Sequence, residues 1–303
     1  MISTKKKTGR RGKRKRIKSF TKSLRLLGVN AAGLRSKLST FRKVLTKLKP
    51  SVFFVEETKY KDVGKLKFEN FVIFELVRKT KDGGGLALGC AKELQPVWLR
   101  EGDDFVEELS VEICVKSMKI RCCIAYGCQE NDSIDRKKAF WKYLDEDVHL
   151  ANASGSGFIL HFDGNLWAGQ NIVPGDPRLQ NRNGKLFQEF LERNPHLSVV
   201  NSLPECEGLI TRCRVKNGVN ELSILDFFVV CDRVLPFLKK MVIDEDKEYV
   251  LTNYQNVNRG GVAVDTDHFT QYMDLDLKFE SEKPHRVEMY NFKEKTAQLN
   301  LRN

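Results

Sequence analysis

Apolar residues along this chain gather into short runs whose period changes from strand-like to helix-like and back. Leu24-Arg25-Leu26-Leu27-Gly28-Val29 reads as a strand that gives way to a loop at Asn30-Ala31-Ala32-Gly33. Leu38, Phe41, Leu45 and Leu48 then recur at helical spacing between lysines and arginines, which predicts an amphipathic helix over 36–48, stopped by Pro50. Val52-Phe53-Phe54-Val55 is a continuous apolar run, the mark of a strand buried on both faces. This β-α-β opening predicts a parallel strand pair covered by a helix.

The middle is richer in strands. Gly83-Gly84-Gly85 precedes a run of small and apolar residues to Cys90, and Leu109–Val115 and Met118–Tyr126 predict a hairpin around Lys116-Ser117. A helix is expected over 135–149, a buried strand from Gly157 to Phe162, and a further helix face at Phe187, Phe190 and Leu191 ending before Pro195. A second hairpin joins Leu209–Val215 to Leu222–Cys231 through Asn217-Gly218, and the last core strand is expected at 268–277.

Length and charge refine the domain picture. A chain of 303 residues suits one large α/β domain or two small ones, and no repeat or linker interrupts 23–280, so one domain is expected there. Residues 1–22 carry eleven lysines and arginines and no acid, so the net charge of +12 is a tail on a nearly neutral body. Such a tail is expected to be disordered and to serve as a nuclear address or a phosphate-binding arm, or merely as a solubilising extension. Residues 281–303 read as a linker or the start of a further region. No apolar run reaches the roughly 20 residues that span a bilayer, and the N-terminus lacks the apolar core of a signal peptide, so no membrane partner is expected. The eight cysteines form no C-x-x-C pair and several lie in apolar runs, the pattern of reduced, intracellular core thiols.

Candidate chemistry lies where polar residues are stranded at the ends of apolar runs. Asn30 follows the first strand, Glu56 and Glu57 the second, Tyr126 ends the Met118 run, and Asp163 and Asn165 end Phe158–Phe162. Asp226 sits inside an otherwise apolar run, where a carboxylate needs a partner or a metal. Asp267 and His268 stand where the last strand is expected to begin. Taken singly, Asn30 and Asn165 also read as turn residues, Glu57 as a solvated charge, Tyr126 as core, and His268 as a structural histidine. Ligands collect at strand ends in α/β sheets, so these residues have a common place to converge.

Their order resembles the endonuclease/exonuclease/phosphatase (DNase I-like) superfamily over about residues 23–280. Its opening Asn matches Asn30, its Gln-Glu-Thr-Lys motif appears as Glu56-Glu57-Thr58-Lys59, and its Tyr falls on Tyr126. Its Asp-x-Asn falls on Asp163-Gly164-Asn165, its Ser-x-x-Asp on Ser223 and Asp226, and its Ser-Asp-His becomes Thr266-Asp267-His268. Within the superfamily the chain is most similar to the endonuclease domain of non-LTR (LINE-type) retrotransposon polyproteins. That similarity rests on Tyr126–Asp132, on Asn165-Leu166-Trp167-Ala168-Gly169, and on a Lys283–Phe292 stretch like the connector to a reverse transcriptase.

The resemblance implies an α/β four-layer sandwich of two mixed β-sheets flanked by helices, and a monomeric, nuclear DNA endonuclease that leaves a 3′-OH. It implies Mg²⁺, with Mn²⁺ as an alternative, held by Glu57, Asn30 and Asp267. It further implies that Asp163 activates water, that Asn165 orients the Asp163 carboxylate and bonds the phosphate, and that His268, held by Asp226, faces the phosphate beside Tyr126 and Asp267. The hairpin with Thr211, Arg212, Arg214, Lys216 and Asn217 corresponds to a groove-probing element, with a plainly soluble hairpin as the other reading. A reverse transcriptase region in a longer polyprotein is an implied partner. Two departures stand out: Ala32 replaces an acid that apurinic endonucleases carry, and Phe162 and Gly164 replace the Gly and Phe around Asp163. The same fold acting on RNA or another phosphoester, or a decayed nucleic-acid binder, are the alternatives.

Overall fold

The computed structural model describes residues 20–78, 84–102, 105–254 and 262–281. Two sheets pack face to face between helices. The first contains β1 (Phe20–Asn30), β2 (Val52–Glu56), β3 (Phe71–Leu76), β4 (Leu86–Ala91), β10 (Cys206–Glu207), β14 (Leu238–Ile243) and β17 (Gln271–Ser281), in the order β10-β14-β17-β1-β2-β4-β3. The second contains β5 (Val97–Glu101), β6 (Glu107–Val115), β7 (Met118–Tyr126), β8 (Gly157–Asp163), β9 (Leu197–Val199) and β13 (Asp226–Cys231), in the order β5-β6-β7-β8-β13-β9. Two ribbons stand apart, β11 (Arg212–Lys216) with β12 (Val219–Ser223), and β15 (Thr252–Asn253) with β16 (Val264–Asp265).

Alternation along the strands explains the layering. In β1 and β2, Leu24, Leu26, Val52 and Phe54 point inward to meet Leu109, Val111 and Ile124 of the second sheet. Leu27, Val29, Phe53 and Val55 point outward and are covered by Phe41, Val44 and Leu48 of helix α1 (Leu38–Leu48). A one-residue slip of either strand would exchange these two sets, so burial on both faces fixes the register. Helix α1 ends at Lys49, in the left-handed region at φ 50°, just before Pro50.

On the far side, α2 (Ile134–Ala153) and α3 (Arg182–Arg193) cover the second sheet through Phe140, Trp141, Leu144, Phe187 and Phe190. Both have side-chain N-caps: Ser133 accepts from the Arg136 N–H at 3.2 Å and Asn181 from the Gly184 N–H at 2.9 Å. The cap and a longer last turn extend α2 beyond the expected 135–149.

Three expectations need correction. The second hairpin is shorter than its apolar pattern, because the return strand breaks at Ile224-Leu225: β12 stays with β11, while β13 crosses into the large sheet beside β8. The last strand starts at Gln271, because His268 bridges to Arg212 and the Phe269 N–H bonds the Thr211 carbonyl at 2.7 Å. The body begins by Phe20, inside the stretch expected as tail. The rest of that tail and the Lys283–Phe292 connector lie outside the described residues. All eight cysteines are free, and five of them are buried. Among the described residues no helix is long and apolar enough to cross a membrane.

Candidate active site

Strand pairing brings the polar strand ends to one edge of the sandwich. Tyr126 pairs with Asp163 across parallel β7 and β8, Asp163 with Asp226 across antiparallel β8 and β13, and Asn30 with Glu56 across β1 and β2. Beyond Glu56 the chain leaves the strand by turning Glu57 into the left-handed region at φ 50°, which swings its carboxylate toward the other sheet.

Asn30, fully buried, links the two sheets. Its Nδ2 donates to Glu57 Oε1 at 3.2 Å and to Asp163 Oδ2 at 2.7 Å, while its Oδ1 accepts the Ala32 N–H at 2.9 Å. The loop behind it is held by the buried Lys37, whose ammonium donates to the carbonyls of Ala31 and Ala32 at 2.7 and 3.1 Å. Glu57 also accepts from the Tyr126 hydroxyl at 3.0 Å and pairs with Lys59 at 2.9 Å. Burial alone would raise the Glu57 pKa, but hydrogen bonds from Lys59, Asn30 and Tyr126 outweigh it and hold this carboxyl below its usual range.

Asp163 has the opposite balance. It accepts the Asn165 N–H at 3.0 Å, yet burial and the neighbouring Asp226 raise it to about 7. Asn165, with φ 45°, donates its Nδ2 to the Gly127 carbonyl at 3.0 Å. The nearest departure from the motif has a packing reason: Phe162 fills the core between Trp141, Phe187 and Phe227, where a glycine would leave a void.

His268 Nδ1 lies 2.9 and 3.1 Å from the two oxygens of Asp226. Burial disfavours the imidazolium, but the Asp226 carboxylate prevails and raises the histidine to about 9, so it is charged at neutral pH. Asp163, Asp226 and His268 also bring one ligand atom each within 4.8 Å of one another, a grouping compatible with a metal ion. Tyr126 is pushed upward by burial and by the carboxylates of Asp163 and Glu57, so its hydroxyl stays a donor.

Asp267 and Thr211 are placed differently from their neighbours. Asp267 is clamped by Arg212 at 2.7 Å. Thr211 is fully buried, and its Oγ1 accepts the N–H groups of Leu225 and Asp226 at 2.8 and 3.1 Å. It is therefore a latch that sets the break before β13, which corrects its expected place on a DNA-facing surface. Arg214, Lys216 and Asn217 stand exposed on the β11–β12 hairpin, whose Asn217-Gly218 turn has φ of 51° and 77°.

A cavity of about 420 Å³ opens beside Glu57 and Tyr126, lined further by Lys59, Arg78, Gln129 and Arg136. Arg78 pairs with Glu107 and lies 5.8 Å over the Tyr126 ring, and Gln129 donates to the Tyr126 hydroxyl at 3.2 Å. Of these, Lys59 lies in the Glu56–Lys59 motif and Gln129 in the Tyr126–Asp132 stretch, while Arg78 and Arg136 lie outside every recognised motif. Arg78 follows an edge strand and carries no pattern.

A divalent cation fits the donor chemistry at Glu57. Its depressed carboxylate faces a roomy cavity with oxygen and amide groups, and the Lys59 ammonium already rests on it as a stand-in positive charge.

Two mixed sheets packed face to face between helices make a DNase I-like α/β sandwich. No protein-family model matches the chain, and no curated protein does. Solved structures do. The chain is similar to the endonuclease domain of TRAS1, a telomere-specific non-LTR retrotransposon, at 15% identity and TM-score 0.59 over 84% of this chain and 99% of that one. It is similar to the AP endonuclease LMAP from Leishmania major at 17% identity and TM-score 0.62, over 84% and 87% of the two chains. The catalytic domain of Xenopus laevis APE2 aligns at 12% identity and TM-score 0.65, over 86% and 94%.

Proposed function

We propose that this protein is a divalent-metal-dependent DNA endonuclease that nicks a phosphodiester bond and leaves a 3′-OH, with Mg²⁺ as its ion and Mn²⁺ able to replace it. The observation that carries this reading is the meeting of Asn30, Glu57, Tyr126, Asp163, Asn165, Asp226 and His268 at one edge of the sandwich. In this reading Glu57 is the principal ligand, with Asn30 and Asp267 assisting after their present contacts rearrange. A cation held there would supply Lewis acidity to the phosphate.

The protein's own groups have distinct tasks. Asp163, whose pKa sits near neutrality, is suited to take a proton from water, since the best general base titrates near the working pH. His268 presents a fixed positive charge to a nonbridging oxygen, and the protonated Tyr126 donates to the phosphate or the leaving oxygen. Asn165, anchored on the Gly127 carbonyl, holds the Asp163 side of the cleft.

Origin in a non-LTR retrotransposon, a reverse transcriptase region in a longer polyprotein, a monomeric state and a nuclear location complete the proposal. The likeness to the TRAS1 domain and the basic stretch over 1–22 support it. The test is nicking of supercoiled plasmid by purified protein. Relaxation in Mg²⁺ that disappears in EDTA is expected; a folded protein that relaxes no plasmid in any divalent ion rejects the reading.

The exposed hairpin gives a second measurement. Replacing Arg214 and Lys216 by Ala is expected to weaken DNA binding about equally across sequences. Each lost phosphate contact lowers the slope of log affinity against log salt by about 0.9. An unchanged salt slope would remove the hairpin from the DNA interface.

A further inference from the structure

Directly beneath the site lies a polar contact that no substrate can touch. Glu56 of β2 and His161 of β8 are both fully buried, and Glu56 Oε1 lies 2.6 Å from His161 Nδ1 across the space between the sheets. The imidazole stacks on Phe54 and tilts against Phe228, at centroid distances of 5.7 and 4.5 Å. Above it, β1 carries Gly28, where a Cβ would come within 2.1 Å of His161 Nε2. The backbone is thus cut back to admit this ring.

The pair is costly as core. Glu56 Oε2 and His161 Nε2 make no hydrogen bond among the described residues, and an apolar pair would fill the same space without desolvating polar atoms. Its place in the chain supplies the reason for keeping it. Glu56 immediately precedes Glu57, and His161 stands two residues before Asp163, on the same face of β8. Alongside the Asn30–Asp163 and Glu57–Tyr126 bonds at the site, the Glu56–His161 contact therefore joins the same two sheets one layer below.

We propose that the Glu56–His161 contact is a positioning strut, which fixes the separation of the Glu57 carboxylate from Asp163. Each strand end reaches the cleft on a short, turned segment: Glu57 at φ 50° beyond β2, and Asn165 at φ 45° beyond β8. Asn30 bonds both carboxylates directly, and the Glu56–His161 contact is the cross-link beneath it that spaces the strand ends from which they project. Small errors in such placement are expensive in rate. Neither residue touches substrate; both act through the groups above them.

The inference rests on the nuclease reading, and its test separates the two. The double substitution Glu56→Met with His161→Leu exchanges the pair for apolar side chains of similar bulk. Thermal unfolding, kcat and KM for plasmid nicking, and Mn²⁺ binding by electron paramagnetic resonance without DNA are compared with wild type. The variant is expected to keep its unfolding midpoint within a few degrees. It should lose about 10- to 100-fold in kcat, the usual cost of disturbing an outer support of a metal site, with KM little changed and Mn²⁺ bound more weakly.

Glu56→Gln keeps an acceptor at the same atom and is expected to retain the wild-type rate. A folded double variant that nicks and binds Mn²⁺ like wild type overturns the strut, as does a Glu56→Gln protein as slow as the double variant. If the double variant does not fold, Glu56→Asp, which withdraws the carboxylate by one methylene, must show the same fall in kcat; a wild-type rate there overturns the inference. Wild-type protein that binds Mn²⁺ without nicking DNA would fail the functional reading alone, while weaker Mn²⁺ binding by the double variant would still support the strut.

Discussion

Asp163→Asn is expected to lower the nicking rate by about 10³-fold while leaving the protein folded, in the middle of the range for removing a general base. The side chain is 1% exposed, and both oxygens are engaged, one by Asn30 at 2.7 Å and one by the Asn165 N–H at 3.0 Å. An asparagine occupies the same volume, but only one of its two terminal atoms accepts, so one of those bonds is lost. Against that loss stands the removal of a carboxylate that burial and Asp226 push up to about 7. A raised acid binds more protons folded than unfolded, so wild-type stability falls as pH rises from near 4 toward 7.

The two effects oppose, and a net change within about 1–2 kcal/mol follows from their usual sizes. Circular dichroism melts beside plasmid nicking check both halves. A folded Asp163→Asn protein nicking within tenfold of wild type would remove Asp163 from the role of base. The acid limb of the wild-type rate profile should also follow this group. It is expected near pH 7 or below, because a divalent cation on Glu57 stabilises the Asp163 carboxylate and moves its titration downward.

The parts of this site that were legible in sequence are those where a polar residue interrupts a strong local pattern. Asp226 stood out because a carboxylate inside Ile224–Val230 has no bland account, and the structure puts it against His268 at 2.9 Å. The opening β1-α1-β2 unit was equally legible, since burial on both faces of Val52–Val55 and the stop at Pro50 leave few alternatives. What stayed hidden depends on long-range partners. The break between β12 and β13 is set by the Thr211 hydroxyl bonding Leu225 and Asp226, and a continuous apolar run gives no sign of it.

Strand β3 opens on Phe71-Val72-Ile73-Phe74, an apolar run like that of β2, yet all six of its residues are only half-buried because it forms the sheet edge. Glu56 and Glu57 looked alike at a strand end. Backbone conformation separates them, sending one into the core toward His161 and the other into the cleft. Asp267 shows the converse: its motif position was legible, but its salt bridge to Arg212 comes from a hairpin whose docking no local pattern specifies.

Asp226→Asn should act through His268 and therefore change the shape of the pH profile as well as its height. In the wild type the Asp226 carboxylate holds the imidazole protonated, with a pKa of about 9 against burial that alone would lower it. The rate is accordingly expected to hold steady above neutrality and to fall as pH rises through about 9. Without that carboxylate only Asp163 and Asp267 are left to oppose burial, and the alkaline limb should move down from about 9. Above that lowered limb the imidazole carries no charge to the phosphate, and loss of one fixed electrostatic donor costs about 10²- to 10³-fold in kcat.

Stability must follow the same linkage. A histidine raised on folding contributes stability that is complete below about 6.5 and is lost as pH passes through about 9. Wild-type melting temperature should therefore decline between pH 7 and 9, and the Asp226→Asn protein should lack that decline. Lowering the pH of the variant toward 5 should restore part of the rate, as its histidine regains a proton while Asp163, freed from the Asp226 charge, remains ionised to lower pH. An alkaline limb near 9 in both proteins would mean that Asp226 does not set the charge of His268.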